Sequence, residues 1–254
     1  MLKRDIDVGA IKGVIFDLGG TLIFFDGTWD EVIPRAIEEM YQDLTKAGLE
    51  LERQRFISEF YSRMEQYYIE RETDCVELTT VYILKTLLQE WGYKNITQNV
   101  LQSAVNALHS VTQTHWHPEE DSIPTLQALK EIGYRLAMIS NAGDDLDVQS
   151  LVDKAAVRPF FDIIITSAAQ GIRKPHPEIF KNVLDFWDFK PSEVVMVGDN
   201  LRADIQGANQ SGILSAWINR RVNVLDLQEE LEQIQPRAAI SALSELPDLL
   251  DNLP

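Results

Sequence analysis

The sequence is short of cysteine, of positive charge and of long apolar runs. Cys75 is the only cysteine among 254 residues, so no intrachain disulfide can form, which fits a reducing compartment. A lone thiol can be a nucleophile, but Cys75-Val-Glu-Leu reads as an apolar-patterned stretch with a structural role. Lys and Arg number 23 against 40 Asp and Glu, a net charge of -17. Sequence-independent binding to nucleic-acid phosphates needs clustered cations, so that class is set aside, and an anionic membrane surface with it. Part of the acidity is local: Asp226 to Pro254 holds seven acidic residues and one Arg, and reads as solvated surface. The opening Met1-Leu-Lys-Arg-Asp-Ile-Asp-Val8 lacks the apolar run of a signal peptide. No stretch approaches the roughly 20 apolar residues that span a bilayer. The expectation is a soluble cytoplasmic protein.

What the sequence does have is enough apolar material for a sizeable core, 45% of residues, in two textures. In the first, short apolar runs end in polar or Gly-rich turns. Val14-Ile15-Phe16 runs into Asp17-Leu-Gly-Gly-Thr21, and Tyr134–Ile139 into Ser140-Asn-Ala-Gly143. Ile163–Ile165, Val194–Val197 and Leu214–Ile218 behave alike, and Ala238–Ile240 is a candidate sixth run. Such continuous runs predict strands buried on both faces of a parallel sheet. Helix-period segments lie between them, at Ser122–Ile132, Asp145–Ala156, Pro177–Trp187 and Ala203–Ser211. The alternation predicts βαβ units, with ligands bound beyond the carboxyl ends of the strands.

The second texture runs from about Trp29 to about His115 and has almost no strand signal. Helices are predicted at Trp29–Lys46, Glu52–Arg71, Cys75–Trp91 and Thr97–Thr112. This helical insertion follows the first strand directly and would sit over its end like a cap. The fold expected is α/β: a doubly wound, Rossmann-like parallel-sheet core at 1–27 and 116–254, with an inserted α-helical cap at 28–115.

Four polar clusters stand at strand ends or in the loops beyond them. They are Asp17–Thr21, Ser140-Asn141, Lys174-Pro175 and Gly198-Asp199-Asn-Leu-Arg-Ala-Asp204. Together they offer a nucleophilic carboxylate, hydroxyl and N–H donors, a cation and further carboxylates. That inventory suits a hard divalent cation and a phosphoryl group in transit.

In order and spacing these clusters resemble the motifs of the haloacid dehalogenase-like hydrolase superfamily, with a helical cap of the C1 type. The resemblance covers roughly Gly13 to Asn219. It implies an aspartyl-phosphate formed at Asp17, with Thr21 steadying the loop by hydrogen bonds. It implies that Ser140 and the Asn141 main-chain N–H hold phosphoryl oxygens, with Lys174 neutralising charge between nucleophile and phosphate. It assigns Mg²⁺ to Asp17, the Gly19 carbonyl and Asp199, with Asp204 in support and Asn200 as an outer partner. The activity implied is Mg²⁺-dependent hydrolysis of a small phosphorylated metabolite.

One position departs from that pattern. Phosphatases of the family usually carry a second Asp two residues after the nucleophile, as general acid and base, and here the residue is Gly19. Loss of such a group typically removes about 10²–10⁴ of rate. Good leaving groups would compensate, or another carboxylate would step in, Asp26 being nearest in sequence. On this reading Gly19→Asp raises turnover on poor leaving groups. A slow enzyme acting as a binding scaffold is the non-catalytic alternative. Dehalogenases also lack that Asp, but they need no metal, and the retained Asp199 and Asp204 favour a phosphatase. Phosphonate hydrolysis would need a cap lysine, and Lys46, Lys85 and Lys94 are not distinguished from one another.

Weaker features complete the reading. His115-Trp-His117 reads as the return hinge from cap to core. Phe56, Phe60, Tyr61, Met64, Tyr67 and Tyr68 recur at helical spacing, as cap packing or as an aromatic wall facing substrate. Arg220-Arg221 read as surface cations.

Overall fold

The computed structural model describes residues 10–222 and 224–252, so the reading of Met1–Val8 lies outside the described residues. The chain runs β1 (Gly13–Phe16), β2 (Ile23–Phe25), α1 (Trp29–Lys46), α2 (Arg53–Asp74), α3 (Thr80–Glu90), α4 (Gln98–Thr112) and β3 (Trp116–Pro118). It continues α5 (Ser122–Ile132), β4 (Arg135–Ser140), α6 (Asp145–Lys154), β5 (Ile163–Thr166), α7 (Ser167–Gln170) and α8 (Pro177–Trp187). It closes with β6 (Val194–Gly198), α9 (Gly207–Gln210), β7 (Leu214–Ile218), α10 (Gln228–Gln233), β8 (Ala238–Ile240) and α11 (Leu246–Asn252).

Six strands form one parallel sheet in the order β5-β4-β1-β6-β7-β8. The apolar runs become its interior because both faces are covered. Val14 and Phe16 of β1 pack with Leu126, Leu129, Val148 and Leu246 on one face. Ile15, between them, points to the other, where Ile179, Phe180 and Val183 of α8 pack. The doubly wound core is therefore as expected, including the sixth strand. β1 lies between β4 and β6, where the strand order reverses, so a crevice opens at its carboxyl end.

Helices α1–α4 are inserted between core strands and keep their own core. Ala36, Ile37, Met40 and Leu44 of α1 meet Leu101, Ala104, Val105 and Leu108 of α4. Thr79 and Thr97 cap α3 and α4 by accepting from Tyr82 N at 3.1 Å and Val100 N at 3.4 Å.

Several expectations need correction. The insertion is bounded by strand: β2 pairs antiparallel with β3, Phe25 opposite Trp116. Strands β2 and β3 have three residues each, too few to give a period of their own. The third inserted helix starts at Thr80, not Cys75. Cys75 ends α2 in a left-handed conformation (φ 56), which no helix can propagate. The predicted Ala203–Ser211 helix is two pieces, a π-type turn at Leu201–Gln206 followed by α9. Arg220 is no free surface cation. It donates to Glu119 Oε2 and Asp121 Oδ2, each at 2.5 Å, and Arg221 also pairs with Glu119. This cluster ties the end of β7 to the turn before α5. Among the described residues no helix is long and apolar enough to cross a membrane.

Candidate active site

Asp17 is the first residue past β1, and its N–H donates to Val197 O at 2.9 Å, in continuation of the ladder to β6. The following turn closes on itself through Gly20 N to Ile23 O at 2.7 Å and Leu22 N to Leu18 O at 2.9 Å. Gly20 takes φ +79, and a Cβ there would run into the Asp199 carboxylate, so glycine is required on both counts. Thr21 is fully buried, but its Oγ1 has no hydrogen-bond partner. The loop is thus held by its backbone rather than by the Thr21 hydroxyl, contrary to expectation.

Lys174 joins the strand ends. Its ammonium, almost wholly buried, lies 2.6 Å from Asp17 Oδ1, 2.7 Å from Asp204 Oδ1 and 2.7 Å from Ile139 O. The Asn141 side chain holds the Lys174 backbone from both sides. Asn141 Nδ2 donates to Lys174 O and Lys174 N donates to Asn141 Oδ1, each at 2.9 Å. With its amide so committed, Asn141 lies beside buried Ser140 with its main-chain N–H bonded to no other group among the described residues. Asp204 is fixed from the other side, since Oδ2 accepts Asn200 N at 3.0 Å. Asn200 caps the π-type turn through Ala203 N at 2.8 Å.

Asp17, Asp199 and Asp204 bring carboxylate oxygens within 4.8 Å of one another. Burial pushes the Asp17 carboxyl up to about 6, the Lys174 charge opposing and the Asp204 charge assisting. Burial, then the charges of Asp17 and Asp204, push Asp199 up to about 8. Burial alone would lower the Lys174 ammonium, but attraction to Asp17 and Asp204 raises it above its ordinary value. One lysine thus faces three carboxylates, and the cluster lacks positive charge. A hard divalent cation fits that deficit and that donor set.

The cluster opens into a cavity of about 770 Å³ between the core and the inserted helices. Phe60, Tyr61, Met64, Tyr67 and Tyr68 of α2 line it, so most of the helical aromatic series is a wall, while Phe56 is buried packing. Gly19 also faces this cavity, and a side chain there would start against a tight neighbour. A Cβ at Gly19 would meet the Trp116 indole at 3.1 Å. Sequence reasoning missed this pairing because Trp116 lies 97 positions away, on a strand without a strand signal.

Asp26, offered as a stand-in acid, is engaged elsewhere. Its Oδ1 contacts His115 Nδ1 at 2.9 Å and its Oδ2 contacts His117 Nε2 at 2.8 Å, and it does not line the cavity. Hydrogen bonding to the two imidazoles, His115 foremost, holds its carboxyl below the usual range. His115-Trp-His117 is thus the return crossing, and Asp26 clasps it to the outgoing one.

A profile of the haloacid dehalogenase-like hydrolases matches residues 11–212, taking in all four clusters. The chain belongs to the haloacid dehalogenase-like hydrolases. Its likeness extends through the insertion to whole proteins. It is 28% identical to the glyceraldehyde 3-phosphate phosphatase of Methanopyrus kandleri, over 96% of this chain and 98% of that one. In fold this hydrolase is similar to the 2-haloacid dehalogenase of Pseudomonas syringae, with a TM-score of 0.66, 22% identity, and 95% and 98% of the chains covered. It is also similar to the magnesium-bound HAD-hydrolase YfnB of Bacillus subtilis, with a TM-score of 0.59, 21% identity, and 96% and 100% covered.

Proposed function

We propose that this hydrolase is a phosphatase of small phosphorylated metabolites that works through Asp17 and requires Mg²⁺. The observation that carries the reading is the carboxylate trio of Asp17, Asp199 and Asp204 around Lys174. A haloalkanoate needs only the nucleophile and a cation, whereas a phosphoryl dianion beside three carboxylates needs more positive charge. Similarity to glyceraldehyde 3-phosphate phosphatases along nearly the whole chain supports the same reading.

Asp17, the Gly19 carbonyl and Asp199 would hold the ion, with Asp204 in support. When bound it supplies charge neutralisation between the carboxylates and the phosphoryl oxygens. The Asp17 carboxylate attacks phosphorus in line, an O–P bond forming as the bond to the leaving oxygen breaks. Lys174, Ser140 and the Asn141 N–H bind the phosphoryl oxygens and orient the group. The leaving oxygen takes its proton from water, because Gly19 has none to give. Water then cleaves the aspartyl-phosphate, returning Asp17 and releasing phosphate. Residues 28–115 act as a cap that excludes bulk water and shapes the leaving-group pocket, over a core of 1–27 and 116–254.

The decisive experiment follows phosphate release from acetyl phosphate and p-nitrophenyl phosphate, with and without Mg²⁺, beside halide release from 2-haloacids. Mg²⁺-dependent phosphate release that vanishes in Asp17→Asn is expected. Metal-independent halide release would overturn the reading in favour of dehalogenation.

A further inference from the structure

Two arginines line the cavity without adequate partners. Arg173, nine-tenths buried, has its Nη1 free of hydrogen bonds, and its nearest carboxylate, Glu77 Oε2, is 3.6 Å away. That carboxylate is already engaged: Tyr67 Oη donates to Oε1 at 2.5 Å and Ser167 Oγ to Oε2 at 2.7 Å. Arg71 of α2 lies over the Tyr68 ring at 4.1 Å and the Tyr67 ring at 5.5 Å. Its Nε is buried without a hydrogen-bond partner, and Glu72 Oε1 is 3.9 Å off. The links Arg71–Tyr67–Glu77–Arg173 form one continuous patch across the junction of insertion and core. Backbone bonds pin that junction, Arg173 N to Cys75 O and Glu77 N to Gly171 O, each at 3.0 Å.

A buried guanidinium donor without an acceptor is costly, and a charge-assisted bond to an oxyanion would recover that cost. Arg173 precedes Lys174, and both line the cavity that holds Asp17. Among the described residues outside the Asp17, Asp199 and Asp204 cluster, the cavity carboxylates without an ion pair are Asp30 and Glu65, and they flank Tyr61 instead. Glu72 is shared with Arg202 at 3.4 Å, so the three guanidiniums of Arg71, Arg173 and Arg202 against the carboxylates of Glu72 and Glu77 leave one positive charge. That balance suits a carboxylate monoanion, whereas a second phosphate dianion would exceed it.

We propose that Arg71 and Arg173 form a second anion site that receives a carboxylate of the substrate, making the preferred substrates phosphorylated hydroxy acids. This deepens the phosphatase reading and rests on it for the position of the phosphoryl group. Both guanidiniums line the one cavity, and each offers N–H groups in a fixed fork that matches a carboxylate.

The test is calorimetric binding, which needs no turnover. Asp17→Asn protein with Mg²⁺ is titrated with 3-phosphoglycerate and with glycerol 3-phosphate, which differ in carboxylate against hydroxymethyl. A Kd about tenfold or more lower for 3-phosphoglycerate is expected. In Arg71→Met and Arg173→Met backgrounds that ratio falls toward one, while Arg173→Lys keeps part of it. A purely structural arginine would weaken both ligands together and leave the ratio unchanged. Equal affinities, absence of binding, or a preference that survives both Met substitutions would overturn the carboxylate site. Failure of phosphate release in the assay above, with the binding preference intact, would overturn the phosphatase reading alone.

Discussion

At Gly19 the residue scale decides what the enzyme can and cannot recover. The Trp116 indole stands 3.1 Å from where a Cβ would sit. Gly19→Asp therefore has to push the indole aside, and the gain in turnover expected from sequence should not appear. We expect that variant to lose about 1–3 kcal/mol to overpacking, read as a Tm drop of several degrees. An alkyl phosphatase rate above wild type would refute this. Asp26 allows a complementary measurement. As a clasp on two histidines rather than an acid, its replacement by Asn should cost less than about tenfold in kcat on alkyl phosphates, against the ~10²–10⁴ of a lost general acid. Asp199 sits under the opposite constraint. Asp199→Asn removes a charge that burial disfavours, so it should raise the metal-free Tm at alkaline pH while abolishing Mg²⁺-induced stabilisation. Equal Mg²⁺ stabilisation in the variant would remove Asp199 from the metal site.

Among elements, the loop junction of Asn141 and Lys174 is the most exposed to a single change. Asn141→Asp keeps the acceptor for Lys174 N but loses the donor to Lys174 O. Lys174 should then lose its register to Asp17, lowering kcat by more than it raises KM; a change in KM alone would contradict this. The strands and most helices were legible because their apolar patterns are long and burial is two-sided, as at Leu214–Ile218. Three of the clusters were legible because each stands at a strand end, and Lys174 because its Lys-Pro pair marks the loop that follows β5 and α7. What escaped the sequence depended on distant pairing. Phe25 has only three residues of strand around it and becomes strand by facing Trp116. The Cys75 turn was hidden because a left-handed conformation leaves no mark on apolar periodicity. Arg71 and Arg173, on separate elements, had no shared spacing to reveal them.

For the molecule as a whole, the charge of the centre and the charge of the chain act together. Asp17 and Asp199 have folded-state pKa values above the unfolded value of 3.8. The folded state therefore holds the extra protons. The associated stability is present at low pH and is lost as pH rises, through about 6 for Asp17 and about 8 for Asp199. In chelator the melting temperature should fall from about pH 5 to about pH 9, and Mg²⁺ should raise it most at the alkaline end. A metal-free protein whose stability climbs across that window would contradict the arrangement. A net charge of -17 also repels phosphate esters over a long range. Raising ionic strength from about 0.01 to 0.15 M should accordingly increase kcat/KM for anionic substrates, through faster encounter.

The contact of Gly19 with Trp116 also bears on which sequences lie within evolutionary reach. A side chain at position 19 and the indole at position 116 press on one another, so an acid at 19 sits best with a smaller or shifted residue at 116. Moving between the two solutions one substitution at a time means passing through a crowded intermediate or a hollow one. The two positions are therefore expected to change as a pair, and lineages on either side of that step are held there by epistasis rather than by chemistry alone.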